Sequence, residues 1–116
     1  MRNIIIVTGG AGFIGSNLIK YLVKKTKYPI ISIDNYSTGT KKNHVNHKNI
    51  KYVKNENINI SKILKKNKKK IKVIFHFGEF SRIYQSFLKP KECLNSNINN
   101  SFEVINFAKD NKIKII

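Results

Sequence analysis

Short apolar runs return along the chain at intervals that leave room for a helix between them. Ile4-Ile5-Ile6-Val7, Ile30-Ile31-Ser32-Ile33 and Val73-Ile74-Phe75-His76-Phe77 are nearly continuous in hydrophobicity, the pattern of strands covered on both faces. They predict strands over Asn3 to Thr8, Ile30 to Asp34 and Val73 to Phe77, with a shorter one at Lys51-Tyr52-Val53 and a last one beginning near Lys112. Between the first two, Ile14, Leu18 and Leu22 recur at helical spacing, predicting a helix from Phe13 to Thr26 that ends before Pro29. Asn35 to Thr40 reads as a polar loop, and Lys41 to Lys48 is ambiguous, with a short helix one option. Ser61 can cap a helix carrying Ile63 and Leu64. Pro90 opens a long helical segment whose apolar positions, Leu94, Ile98, Phe102, Ile105 and Ala108, share one face. This alternation, free of internal repeats and flexible linkers, predicts an α/β fold with a parallel sheet.

The connection between the first strand and the first helix carries the chemistry. In Thr8-Gly9-Gly10-Ala11-Gly12-Phe13-Ile14-Gly15-Ser16 the glycines can be counted in two registers, Gly10, Gly12 and Gly15 as GxGxxG or Gly9, Gly12 and Gly15 as GxxGxxG. Either places a tight turn before a helix start, an absent side chain at Gly12 where a pyrophosphate can approach the main chain, and another at Gly15 where helix and strand come close. The free N–H groups and dipole of the new helix then face the anion.

The second strand ends in Asp34, 24 positions after Gly10, against about 20 for the acid that holds an adenosine ribose in dinucleotide sites. A carboxylate there accepts from ribose hydroxyls and repels a 2′-phosphate, which favours NAD over NADP. Lys41 and Lys42, a few residues on, could instead meet a phosphate.

The glycine turn, followed by Asp34-Asn35-Tyr36-Ser37-Thr38-Gly39, resembles the opening of the extended short-chain dehydrogenase/reductase family, within it most nearly the nucleotide-sugar 4-epimerases of the UDP-glucose 4-epimerase type. The resemblance implies a Rossmann-type doubly wound parallel sheet, incomplete at about the first five βα units, with residues 1–116 forming the N-terminal part of an NAD-binding domain. It implies NAD contacts from Gly9, Gly12, Phe13, Ile14, Gly15, Asp34, Asn35, Ser37, Thr38 and Gly39. Asn57 and Ile58 stand where an Asp-Ile pair beside the adenine is common, and Phe77, Gly78 and Ser81 fall in the exit Phe77 to Arg82, which resembles the family's stretch beside the nicotinamide-side ribose and pyrophosphate. Asn97 falls where the family has the Asn of an NxxGT pattern. Glu79 departs from the small residue usual there, and Asn100 and Ser101 replace the Gly-Thr.

By the same resemblance, the reaction is carried by a Tyr and a Lys spaced YxxxK on a later helix: the Tyr acts as base on a sugar hydroxyl while hydride passes to NAD and returns through a 4-keto sugar. No such catalytic pair is expected within these residues. The complete enzyme would take a nucleotide-sugar substrate and form a homodimer. Rival readings are another family member (dehydratase, decarboxylase or reductase), a cofactor-binding module without turnover, and a basic nucleic-acid-binding domain.

The 116 residues suffice for one domain or part of one, and the run Lys112 to Ile116 looks like a strand in progress, which predicts a fragment of a longer protein. A net charge of +17 invites the nucleic-acid reading, but the excess is scattered Lys with two Arg and no basic motif interleaved with aromatics, so no specific nucleic-acid partner is expected. The block Lys65 to Lys70 reads as a solvated helix end. A single cysteine, Cys93, excludes an internal disulfide, and no apolar run is long enough to span a bilayer; a cytoplasmic protein without a membrane partner is expected.

Three tempting features fit no chemistry. Tyr21 and Lys25 form a YxxxK, but in the helix directly after the glycine turn. His44 and His47 lack further metal ligands and read as solvated loop residues, so no metal is expected. His76, in an apolar strand, reads as a hydrogen-bonded core or crevice residue.

Overall fold

The computed structural model describes residues 1–116 and arranges five strands in one parallel sheet, β1 (Ile4–Thr8), β2 (Ile30–Asp34), β3 (Ile50–Lys54), β4 (Ile71–His76) and β5 (Lys114–Ile115). Their order is β3-β2-β1-β4-β5. The chain therefore winds outward from β1 in one direction, returns to its other side, and winds outward again. That reversal makes the sheet doubly wound and opens a crevice at the carboxyl ends of β1 and β4.

Strand pleating divides the core in two. Ile4, Ile6, Ile31, Ile33 and Ile74 point to the face covered by α2 (Ile60–Ile63) and α5 (Ser101–Asp110), where they meet Ile60, Leu64, Val104 and Phe107. Ile5, Val7 and Ile30 point to the opposite face, against Ile19 and Leu22 of α1 (Phe13–Lys25). All residues of β1 and β2 are buried, as their unbroken apolar runs require. Within α1 the inward residues are Gly15, Ser16, Ile19 and Leu22; Ile14, placed by periodicity on the apolar face, is exposed beside the glycine turn. The α2 helix starts at Ile60, after a 3₁₀ turn at Asn57–Asn59, without the side-chain cap expected from Ser61.

The segment opened by Pro90 is helical to Asp110, but its apolar face is not the one periodicity selects. Between α4 (Pro90–Leu94) and α5, residues Asn95–Asn100 form a π-helical stretch. Such a stretch winds more residues into a turn and so rotates the upstream helix relative to the downstream one. Leu94, Ile98, Phe102 and Ile105 consequently lie on the surface, and of the predicted stripe only Ala108 is buried; Val104 and Phe107 fill the core instead. One helix that periodicity does not announce is α3 (Ile83–Leu88), which presents Ile83, Tyr84, Phe87 and Leu88 to the outside.

The end of α5 carries a strained residue. Lys112 sits in the left-handed region at φ 53° while the N–H of Ile113 reaches back to the Ala108 carbonyl at 2.8 Å. This helix stop favours glycine at that position. Lys112→Gly is therefore expected to stabilise the protein by about 1 kcal/mol, raising the thermal midpoint by roughly 4 °C. Thermal unfolding followed by circular dichroism checks this, and an unchanged or lower midpoint refutes it.

Candidate functional site

At the carboxyl end of β1 the backbone turns sharply. Gly9, at φ +72°, donates its N–H to the Ile33 carbonyl, and the N–H of Gly12 closes on the Gly9 carbonyl at 3.1 Å. The glycines of the turn then differ in what a side chain would meet. A Cβ on Gly15 would lie 2.3 Å from the Gly9 carbonyl oxygen, so helix and turn are in contact there; on Gly12 its nearest neighbour would be that same oxygen at 3.3 Å. Gly12 is thus open towards the cleft. The first turn of α1 has no side-chain cap and no acidic residue, and the N–H groups of Phe13, Ile14 and Gly15 find no partner within the protein. Unsatisfied donors at the positive end of a helix dipole are suited to an anion.

Asp34 fixes the turn from the neighbouring strand. Its Oδ2 accepts from the N–H of Ala11 at 3.0 Å and its Oδ1 from that of Tyr36 at 2.8 Å. The loop it begins closes over the turn: the N–H of Thr40 and the side-chain amide of Asn43 both donate to the Ala11 carbonyl, and Gly39 packs against Ala11. His44 holds that loop to the sheet. Its ring stacks on Tyr52 at 3.7 Å between centroids and its Nε2 lies 2.6 Å from the Tyr36 hydroxyl. It is a half-buried staple, not the solvated residue its sequence context suggests. Burial raises the phenols of both Tyr36 and Tyr52 above their ordinary value.

On the other side of the crevice a directed chain of hydrogen bonds crosses the end of β4. The N–H of Gly78 donates to Thr8 Oγ1 at 3.1 Å, Thr8 Oγ1 lies 2.6 Å from His76 Nδ1, His76 Nε2 lies 2.9 Å from Ser101 Oγ, and Ser101 Oγ donates to Glu79 Oε1 at 2.9 Å. A neutral His76 with its hydrogen on Nε2 satisfies every link. His76 is therefore the hydrogen-bonded crevice residue its sequence position predicts, and Glu79 is tied back to the wall. Burial lowers the His76 imidazole below its usual 6.5, against a smaller upward pull from the Glu79 carboxylate. The unfolded chain then binds a proton at pH values where the folded chain does not, so stability falls as pH drops through and below 6.5. The thermal midpoint should be lower near about pH 5 than near about pH 7.5, and His76→Gln should flatten the difference. An identical pH profile in the variant refutes that assignment.

The two sides enclose a cleft of about 910 Å³. Of the residues expected to contact a cofactor, it brings together Gly9, Gly12, Phe13, Ile14, Gly15, Asp34, Asn35, Ser37, Thr38, Asn57, Ile58, Phe77, Gly78 and Ser81. Gly39 and Asn97 do not line it. Gly39 supports the turn, while Asn97 grips the main chain of Phe80, accepting from its N–H at 2.6 Å and donating to its carbonyl at 2.9 Å. Asn57 donates to the Gly78 carbonyl, and its buried Oδ1 has no partner. Beyond the expected residues the cleft is lined by Glu56, Phe80, Arg82, Glu92 and the π-helical asparagines Asn95, Asn99 and Asn100. Asn35 and Asn100 both donate to the Glu56 carboxylate. No sequence signal marks this asparagine wall, because it depends on the widened helical turn. Tyr21 and Lys25 lie outside the cleft, with the Lys25 ammonium 5.9 Å from the Tyr21 ring centre. No three His, Cys, Asp or Glu side chains are grouped to hold a metal ion, and no helix is long and apolar enough to cross a membrane.

A doubly wound parallel sheet, a glycine turn into an uncapped helix and an acid at the end of the next strand together define a Rossmann-type dinucleotide-binding fold. The chain belongs to the NAD dependent epimerase/dehydratase family, whose profile matches residues 5–116, and NAD is its cofactor. It is 31% identical over 113 residues to the ADP-L-glycero-D-manno-heptose-6-epimerase of Brachyspira hyodysenteriae, covering 96% of this chain and 35% of that protein. Among solved structures it superposes with a TM-score of 0.84 on the UDP-glucose 4-epimerase of Thermotoga maritima, at 25% identity over 95% of this chain and 35% of that one. The TM-score is again 0.84 for the UDP-N-acetylglucosamine 4-epimerase of Methanobrevibacter ruminantium, at 29% identity over 98% of this chain and 36% of that one. The chain thus spans about a third of the length of these relatives.

Proposed function

We propose that the chain is the N-terminal, cofactor-binding part of an NAD-dependent nucleotide-sugar 4-epimerase. The observation that carries this reading is the cleft itself: partnerless helix N–H groups, the open Gly12 and Asp34 share one wall, in the spacing a dinucleotide needs. The Gly12 main chain and the N–H groups of Phe13, Ile14 and Gly15 take the diphosphate. Asp34 and Asn35 hold the adenosine ribose, with Ser37 and Thr38 closing over it. Asn57 and Ile58 meet the adenine, for whose amino group the partnerless Asn57 Oδ1 is an acceptor. Phe77, Gly78 and Ser81 border the nicotinamide half. Bound NAD supplies a hydride acceptor; these residues orient it and shield it from water. No Tyr or Lys lines the cleft, so proton transfer falls to the remainder of the enzyme.

The 4-epimerase assignment is supported by the Asp34 to Gly39 loop and by the two structurally similar UDP-sugar 4-epimerases. A second reading, epimerisation at another carbon of a nucleotide sugar, is favoured by the 31% identity with a heptose 6-epimerase. Nuclear magnetic resonance of UDP-glucose, UDP-N-acetylglucosamine, UDP-glucuronic acid and an ADP-heptose incubated with the complete gene product and NAD separates them. Inversion at C4 supports the first reading, inversion at C6 of the heptose the second. A 4-keto-6-deoxy product or release of carbon dioxide assigns a dehydratase or decarboxylase and overturns both.

A further inference from the structure

The cleft gathers acids in a basic protein. With a net charge of +17, the chain places four of its six acids, Asp34, Glu56, Glu79 and Glu92, along the cleft wall. Three of them are committed within the protein. Asp34 accepts from the N–H groups of Ala11 and Tyr36, Glu56 from the side-chain amides of Asn35 and Asn100, and Glu92 lies 3.7 Å from the Lys89 ammonium. Glu79 is less occupied. Its Oε1 accepts from Ser101 Oγ at 2.9 Å, its Oε2 has no partner, and it pairs with no Lys or Arg. His76 Nε2 is 3.5 Å away, but burial holds that imidazole in its neutral form.

Position decides what this unneutralised carboxylate can act on. A dinucleotide crosses the sheet where the strand order reverses, between β1 and β4. Asp34, suited to the adenosine ribose, ends β2, so the adenosine half lies over β2 and β3 and the nicotinamide half over β4. Glu56, which follows β3 and is bonded to Asn35, belongs to the adenosine side; Glu79, which follows β4, belongs to the nicotinamide side. The main chain around Glu79 is fixed, its own N–H on the Phe77 carbonyl at 2.9 Å and that of Gly78 on Thr8 Oγ1 at 3.1 Å. Its side chain, 47% exposed, faces the cleft. A fixed negative charge thus stands on the nicotinamide side, where the family resemblance leads one to expect a small residue. The N-terminus of α1 serves the diphosphate, which both oxidation states of the cofactor share. They differ in the ring, which is positive in NAD+ and neutral in NADH.

We propose that Glu79 makes this site selective for the oxidised cofactor, its carboxylate attracting the positive ring of NAD+ and not the neutral ring of NADH. This rests on the NAD site described above. In a partly desolvated cleft, opposite unit charges a few ångströms apart change an affinity by about tenfold. By linkage, a site that holds NAD+ more tightly makes bound NADH the readier hydride donor, so hydride taken from a substrate is returned to it.

The test is calorimetric titration of the complete gene product, freed of bound nucleotide, with NAD+, NADH and ADP-ribose, which lacks the nicotinamide ring. The readout is the ratio of the NADH and NAD+ dissociation constants, in which contacts with the shared adenosine and diphosphate cancel. Glu79→Gln removes the charge and keeps an acceptor for the Ser101 hydroxyl. In that variant the ratio should fall about fivefold or more, through weaker NAD+ binding, while ADP-ribose binds no more weakly than to wild type. Glu79→Ala should give the same fall, which keeps the test open if the glutamine disturbs folding. Glu56→Gln, which removes a charge from the adenosine side, should leave the ratio at its wild-type value. An unchanged ratio in the Glu79 variants overturns the proposal and leaves the NAD site standing. An equal fall in Glu56→Gln also overturns it, since the effect would then belong to the cleft as a whole, as does a loss of ADP-ribose affinity equal to that of NAD+. Wild-type protein that binds none of the three overturns the NAD site as well.

Discussion

Gly12→Ala is expected to cost the protein its cofactor and spare its fold, whereas Gly15→Ala, three residues on, does the reverse damage first. At Gly12 the added methyl meets only the Gly9 carbonyl oxygen, at 3.3 Å, and the backbone at φ −82° and ψ 178° suits any residue. The methyl occupies space that a diphosphate needs to reach the main chain. NAD binding should weaken by about tenfold or more, or about 1.4 kcal/mol, with the thermal midpoint nearly unchanged. At Gly15 the methyl would lie 2.3 Å from the Gly9 oxygen and 2.9 Å from the Gly10 Cα, both main-chain atoms that cannot rotate away. Helix and turn must separate, at a cost of about 3 kcal/mol or more, and cooperative unfolding should begin at much lower temperature. Calorimetric titration with NAD and thermal unfolding of both variants check the pair. Equal loss of stability in the two would refute the division of roles.

Asp34→Ala should lower stability and affinity together. The carboxylate accepts two main-chain N–H groups, that of Ala11 within the glycine turn and that of Tyr36 two residues on. Asp34 is 9% exposed, so both donors lose a partner where water replaces it poorly. Hydrogen bonds to charged groups contribute about 1.5–3 kcal/mol each, and a total loss of about 3 kcal/mol or more is expected in urea unfolding. NAD affinity should fall in the same variant, since the ribose loses its acceptor and the turn its anchor. Asp34→Asn, which keeps one accepting oxygen, should fall between. A variant that loses affinity with undiminished stability would show that the carboxylate serves the ligand alone.

The parts legible in the sequence were those set by local pattern. β2 runs over the expected Ile30 to Asp34, and β1 begins one residue inside its expected bounds, because strands covered on both faces must be apolar throughout. The glycine turn was legible for a similar reason, since steric exclusion acts within a few residues of chain. The rest depends on distant partners. The stacking of His44 on Tyr52 needs β3 beside β2, and the gathering of Asp34, Glu56, Glu79 and Glu92 on one cleft needs four segments brought together. Neither leaves a trace in spacing. The stripe Leu94, Ile98, Phe102 and Ile105 misled because a fixed helical period was carried across Asn95–Asn100, where the period changes.

That change of period gives the helix a register, much as pairing gives one to a strand. Ordinary winding of the same six residues, Asn95–Asn100, would turn everything upstream by about 100° relative to α5. Asn97 would swing off Phe80, and the main chain carrying Glu79 and Arg82 would lose its clamp. Val104 and Phe107 would meanwhile stay in the core. The winding of this stretch is therefore a property of the binding cleft more than of the hydrophobic interior, and the same residues wound as ordinary helix would leave a protein folded around a wall facing the wrong way.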